Sequence, residues 1–203
     1  MKSTAEKILD AAEDLFAEKG YAATSLGDVA DRVGIRSPSL YNHFKNKEAL
    51  YNAVFQRLLA IFSETLLELL DRPVTRESVL DWLHKLVRVH HAHPNLARLL
   101  QHAALSGGPN SKALIDGMFK PLLDHQDPQT SADIFKLGTP DLQSWAVMTL
   151  NNIVMSYITM APMYADLLGV DPFSEQALET QMEFIDRLAR LVMGMSIDQP
   201  AGA

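Results

Sequence analysis

Apolar residues recur at helical spacing along the whole chain, and no run shows the period of two that a half-buried strand requires. The first element opens at Ser3, with Glu6 three residues on to complete a capping box. Ile8, Leu9, Ala12, Leu15 and Phe16 then make one apolar stripe, and Gly20 ends it. Thr24 or Ser25 caps a second helix that buries Leu26, Val29, Ala30 and Val33 before Gly34. Ser37 caps a third, with Pro38 at the first helical position, where its missing N–H costs nothing. Asn46 caps a long fourth helix reaching Leu70, on the order of 36 Å at 1.5 Å per residue. The Arg72-Pro73 pair stops it.

Further helices are expected over 76–92, 95–106 and 111–125, bounded by Pro94, Gly107-Gly108-Pro109 and Asp127-Pro128. Residues 127–138 carry no clear period. Thr139-Pro140-Asp141 starts a helix that runs to Met160 before Pro162, and Ser174 caps the last, which ends near Met195. The fold expected is all-α. A three-helix unit at 1–46 precedes a larger helical body at 47–203, with no flexible linker between them, so the two parts are expected to move together.

Composition narrows the class. An apolar share of 47% is ample for a packed core. The absence of cysteine excludes disulfides, thiolate metal sites and cysteine nucleophiles, and fits a reducing cytoplasm. The charged, amphipathic start argues against a secretory leader, and no stretch has the roughly 20 apolar residues of a membrane span. The expected protein is soluble and cytoplasmic, without membrane contact. Net charge is −7, which looks wrong for a nucleic-acid binder until it is placed along the chain. Residues 32–47 hold Arg32, Arg36, Lys45 and Lys47 and no acidic residue, so the acidic excess lies elsewhere.

That basic segment coincides with the second and third helices, which have the spacing of a helix-turn-helix. On a helical wheel Leu40 and Phe44 fall on one side and anchor the third helix. Pro38, Ser39 and Asn42 point away, with Tyr41 and His43 to either side. Short polar side chains on such a face suit base edges in a major groove, and longer ones suit the phosphates of its walls. Asn42 has the donor and acceptor for adenine, Ser39 serves several bases, Pro38 meets a thymine methyl, and Arg36 reaches a guanine or a phosphate. Lys47 and the N–H groups opening the fourth helix make a phosphate site, as do Thr24 and Ser25 for the second.

The segment GYAATSLGDVADRVGIRSPSLYNHFKNKEALYNAV resembles the N-terminal DNA-binding region of the TetR family of bacterial regulators. The resemblance rests on Gly20, Thr24, Ala30, Gly34, Leu40, Tyr41, His43, Phe44, Lys47 and Leu50, and covers about residues 5–55. It implies a homodimer that binds a palindromic operator in double-stranded DNA, most often as a repressor released by a small-molecule effector. By position it implies phosphate contacts at Thr24, Tyr41, His43 and Lys47, with Ser37, Ser39 and Asn42 at or near the bases. Pro38 and Asn42 depart from the family's commonest residues, which bears on the operator sequence.

In the body, the last helix carries Leu178, Ile185, Leu188 and Val192 on one stripe, broken by Gln181 and widened by Phe184 and Leu191. The helix before it carries Leu142 and Trp145. The resemblance implies that these two helices pair with their copies in a four-helix dimer interface, through Leu142, Trp145, Leu178, Ile185, Leu188 and Val192. An effector cavity, also implied by the family, has Phe62, Trp82, Met118, Phe119, Met155 and Tyr157 as candidate lining.

His90 and His93, with His84, His91 and His102 near in sequence, raise a second reading, a metal-responsive regulator. Histidine also suits a helix C-terminus, where it meets the dipole and the last carbonyls. No metal site or cofactor is assigned. A helical hydrolase using the same histidines has no nucleophile elbow, phosphate loop or metallopeptidase motif behind it, and a helical interaction module is the remaining class.

Overall fold

The computed structural model describes residues 2–71, 73–106, 109–120 and 140–197, and every regular element among them is a helix. They are α1 (Thr4–Ala23), α2 (Leu26–Val33), α3 (Ser37–Tyr41), α4 (Lys47–Leu70), α5 (Arg76–Ala92) and α6 (Pro94–Ser106). After them come α7 (Pro109–Leu114) with a π turn at Ile115–Phe119, then α8 (Pro140–Thr159), α9 (Ala161–Leu168) and α10 (Glu175–Met193). No described helix is long and apolar enough to cross a membrane. As far as Lys120, the helix expected over 111–125 is met by a short helix and a π turn. Residues 121–139, which include the rest of it and the stretch 127–138, lie outside the described residues.

The caps explain most boundaries. Ser3 Oγ accepts from the Glu6 N–H at 3.2 Å while Glu6 accepts from the Ser3 N–H at 2.6 Å, so α1 opens on the expected box. Asn46 Oδ1 accepts from Ala49 N–H at 2.8 Å, and Ser174 Oγ from Ala177 N–H at 3.2 Å. Gly34 ends α2 in the left-handed region, and the Ile35 N–H bonds back to the Ala30 carbonyl at 3.0 Å. Of the two residues offered as the cap of α2, Ser25 is the one that takes it. Two details differ from expectation. The N-cap of α3 is Arg36, with no side-chain cap bond, so Ser37 lies inside the helix. Pro162, read as a stop, sits in the first turn of α9, where proline opens a helix rather than ending one.

One continuous core runs from Ile8 to Met193. Along α4, Leu50, Val54, Phe55, Leu58, Phe62, Leu66 and Leu69 are all buried, at the three-and-four spacing of an inward stripe. Each such burial stabilises by roughly 1.5–3 kcal/mol. The first half of α4 meets α1 through Phe16, Tyr21, Tyr51 and Phe55, whose rings lie 4.9–6.4 Å apart in successive pairs. Farther along, Phe62 packs edge-on to Trp82 of α5 at 6.4 Å.

Polar contacts tie α1 to the body twice. Arg57 of α4 donates to Asp10 at 2.8 Å and to Glu13 at 2.5 Å. Asn95 of α6 donates to Asp14 at 2.9 Å. Similar contacts join α5 to α10: His84 Nε2 lies 3.3 Å from one Asp186 oxygen, and Arg190, one turn on along α10, donates to the other at 2.6 Å. His91 Nε2 lies 2.7 Å from the Gln181 oxygen.

Candidate nucleic-acid interface

The α2–α3 turn holds a short polar helix clear of the body. Leu40 is fully buried, and Phe44, half-buried, is placed by its N–H bonding to the Leu40 carbonyl at 3.0 Å. The helical turn thus continues through Asn42, whose backbone is right-handed helical, although regular helix ends at Tyr41. The anchors hold one side. Arg36, Ser37, Pro38, Ser39, Tyr41, Asn42 and His43 are all exposed on the others, and Tyr41 shows 56% of its surface. Seven sequence-picked residues therefore lie together on one outward cap of the fold.

The positive charge is thinner than the sequence suggests. Arg32 leans toward Asp14 and Glu18 of α1 at 3.8 and 3.7 Å. Lys47 donates to the Ala22 carbonyl at 3.2 Å and its ammonium sits 4.4 Å above the Tyr21 ring. Arg36 and Lys45 are exposed and have no carboxylate partner among the described residues. Lys47 still marks the N-terminus of α4, where Asn46 satisfies one N–H and the rest of the first turn is left for another acceptor.

The start of α2 is already occupied. Ser25 and Asp28 bond reciprocally, the Ser25 N–H to the carboxylate at 2.8 Å and the Asp28 N–H to Ser25 Oγ at 3.1 Å. The Ser25 backbone and hydroxyl bonds hold the Asp28 carboxyl below its usual range. A charged carboxylate at that helix end competes with a phosphate. Thr24 also departs from expectation: it is 2% exposed, and its hydroxyl donates to the Leu15 and Gly20 carbonyls at 3.1 and 2.9 Å. It closes α1 instead of facing outward.

A second outward face lies on α8 and α10. Leu142, Trp145, Thr149, Asn152 and Ser156 of α8 are exposed in alternate steps of three and four, and Trp145 shows 66% of its surface. On α10 the exposed line is Thr180, Phe184, Arg187 and Leu191, with Phe184 59% exposed. Ile185, expected on this face, is fully buried in the chain's own core, and Leu178, Leu188 and Val192 are half-buried against it. The sequence stripe was real, but its centre faces inward, and Phe184 and Leu191, which widened it, hold the outer edge. One step of the wheel, about 100°, separates the two lines.

Of the candidate effector residues, Phe62, Trp82 and Met155 are buried in the core, and Phe119 is half-buried beside it. The Met118 side chain lies outside the described residues. Tyr157 alone among the named set lines an open groove, together with residues of α9 and α10. The histidines do not converge. His90 is fully buried, its Nδ1 donates to the Leu86 carbonyl at 2.8 Å, and burial pushes its pKa down. His93 is exposed and lies past the end of α5 as its C-cap, while His90 points into the core. Among the described residues no group of three or more His, Cys, Asp or Glu is placed to hold a metal ion.

Residues 8–54 match the family model of bacterial regulatory proteins, tetR family. The chain is 35% identical over 82 residues to the biofilm operon icaADBC HTH-type negative transcriptional regulator IcaR of Staphylococcus epidermidis, covering 40% of this chain and 44% of that one. It is 45% identical over 51 residues to the HTH-type transcriptional activator FasR of Mycolicibacterium smegmatis, covering 25% of this chain and 23% of that one. The chain thus spans less than half the length of these curated relatives. The fold extends farther: the structure of the ketosteroid transcriptional regulator KstR2 of Mycobacterium tuberculosis superposes with a TM-score of 0.70 at 20% identity, over 96% of this chain and 95% of that one.

Proposed function

We propose that this chain, whose N-terminal helices are those of the TetR family, is a cytoplasmic transcriptional repressor that binds a palindromic operator as a homodimer and is released by a small molecule. The observation carrying this reading is the exposed cap of α3, held by Leu40 and Phe44 while Pro38, Ser39 and Asn42 face outward. In the proposed complex Asn42 and Ser39 meet base edges and Pro38 a thymine methyl. Tyr41, His43, Arg36 and the α4 N-terminus with Lys47 meet phosphates. Thr24 and the start of α2 carry no direct contact in this reading, and residues 1–46 and 47–203 are its two functional parts.

The outward lines of α8 and α10 support a second copy as partner, which sets two reading helices apart. Half-sites of such dimers lie about 34–36 Å apart or at multiples of this, so both helices dock only within a narrow range of tilts. Two ties transmit a change in the body: α4 continues from the reading unit into the core, and α6 bears on α1 at Asn95. Both relatives named above regulate transcription, one negatively and one positively, and the repressor sign follows the longer match.

Selection of duplexes from a random library on the full chain tests this reading. The expected product is an inverted repeat whose affinity falls steeply as salt rises. Recovery of unrelated sequences, or no retention at low salt, overturns it.

A further inference from the structure

We propose that the groove between α8, α9 and α10 binds a neutral, mostly apolar small molecule that presents one oxygen acceptor to the Gln181 amide. The groove encloses about 510 Å³, inside the roughly 300–1,000 Å³ span of small-molecule sites. Ile153, Tyr157, Tyr164, Leu168, Val170 and Phe184 form its apolar walls, and no residue lining it bears a formal charge. A charged ligand entering here would lose its water without gaining a counter-charge. An apolar body gains from the same walls.

Gln181 supplies the polar anchor. It is buried on the groove wall, and its oxygen is taken by His91 Nε2, but its amide nitrogen has no hydrogen-bond partner. Buried amide donors are rarely left unmade, because water is lost and nothing replaces it. A carbonyl or hydroxyl oxygen in the groove completes this one once the amide turns toward the opening. The aromatic wall is already fixed: Tyr157 donates to the Pro172 carbonyl at 3.2 Å, stacks on His91 at 5.8 Å and leans on Tyr164 at 5.7 Å. Such a wall loses little freedom when a ligand arrives.

The site is separate from the closed core around Phe62 and Trp82. Ser156, Thr180 and Phe184 belong both to the groove and to the outward lines of α8 and α10. In the dimer proposed above, on which this consequence rests, a bound molecule lies beside the second copy and bears on the angle between subunits. His91 carries the anchor's other bond to α5.

Nile red, a neutral dye with a carbonyl acceptor, is the probe, titrated into the full chain and followed by fluorescence. Saturable uptake with blue-shifted emission is expected. Ala177→Trp and Val170→Trp, which fill the groove from a half-buried position on α10 and an exposed one after α9, should each weaken uptake roughly tenfold or more with the melting temperature held. Gln181→Met should weaken it less while keeping side-chain volume. Absence of saturable uptake, or wild-type affinity in both folded tryptophan variants, overturns the proposal, as does uptake only after dimers are dissociated, since a second copy then fills the groove. Light scattering and DNA retention on the same samples separate the two readings: dye bound by a monomer without DNA affinity sinks the regulator and leaves the site, and a DNA-binding dimer without uptake does the reverse.

Discussion

His102 of α6 stands against Gly20 of α1, so close that a methyl group built on the glycine would meet the imidazole Cε1 at 3.6 Å. Gly20 is buried with φ 76° and ψ 171°, a region that side chains with a Cβ hardly enter. There α1 changes direction, which sends Tyr21 onto Tyr51 and brings the Ala22 carbonyl to Lys47.

Gly20→Ala should therefore cost about 1–3 kcal/mol from backbone strain. For a chain of this size that is a drop of roughly 2–4 °C in Tm per kcal/mol. The contact at 3.6 Å is ordinary, so crowding is not the cause, and adding His102→Ala should not restore the loss. Thermal melts of the three variants check this. A double variant as stable as the His102→Ala single would show that the imidazole, not the backbone, sets the cost.

Tyr41 and Asn42 are neighbours on the same exposed cap and should fail differently. Tyr41→Ala should weaken binding to operator and random duplex alike and leave the salt slope nearly unchanged, because the phenol carries no charge. Asn42→Ala should cost about 1–3 kcal/mol on operator and relax preference at one base position. Melting temperatures should stay put, since neither side chain is in the core. Matching losses on both kinds of DNA for both variants would defeat the division of roles.

Local signals carried most of the helix plan. Ser3–Glu6, Gly34, Asn46 and Ser174 act through bonds within a few residues, and each is found in the expected place. The misreadings share a cause. Thr24 was expected to face a phosphate, and what turns its hydroxyl inward is the Leu15 carbonyl nine residues away. The same holds for Ile185: a wheel gives a stripe, but packing of α5 on α10 decides which edge of it faces the core. The exposed cap of α3 was legible because its anchors, Leu40 and Phe44, lie within the segment itself. The Gln181 groove was not, because its walls come from three helices and its anchor is defined by a bond to α5.

Adjacent residues on α10 give a sharp test of the dimer face. Phe184→Ser should leave the fold intact, because the ring is mostly exposed, and should shift light scattering from dimer toward monomer. Ile185→Ala should cost about 2–5 kcal/mol of stability, the usual range for emptying a buried aliphatic site, without exposing new surface on the outward line. Size-exclusion with light scattering and denaturant unfolding separate the two. If Phe184→Ser remains a dimer at micromolar protein and Ile185→Ala dissociates it, the faces have been assigned the wrong way round.

His90 gives a pH dependence whose sign follows from its burial. Its folded pKa lies below the ordinary histidine value because burial disfavours the cation, an effect larger than the opposing bond to the Leu86 carbonyl. The neutral ring is therefore the native form, with Nδ1–H donating to Leu86. As pH falls through the unfolded value of about 6.5, the unfolded chain takes a proton that the native chain refuses. Stability then declines, and it levels off only below the folded pKa. His90→Asn can keep a donor to the Leu86 carbonyl while removing the titration. Its denaturation midpoint should therefore fall less than that of the unaltered chain between pH 8 and about pH 5.5. The variant starts less stable at pH 8, since a smaller side chain leaves a void in a closed core, so the comparison is of slopes rather than of midpoints. Equal slopes would mean that His90 does not set the acid sensitivity in this window.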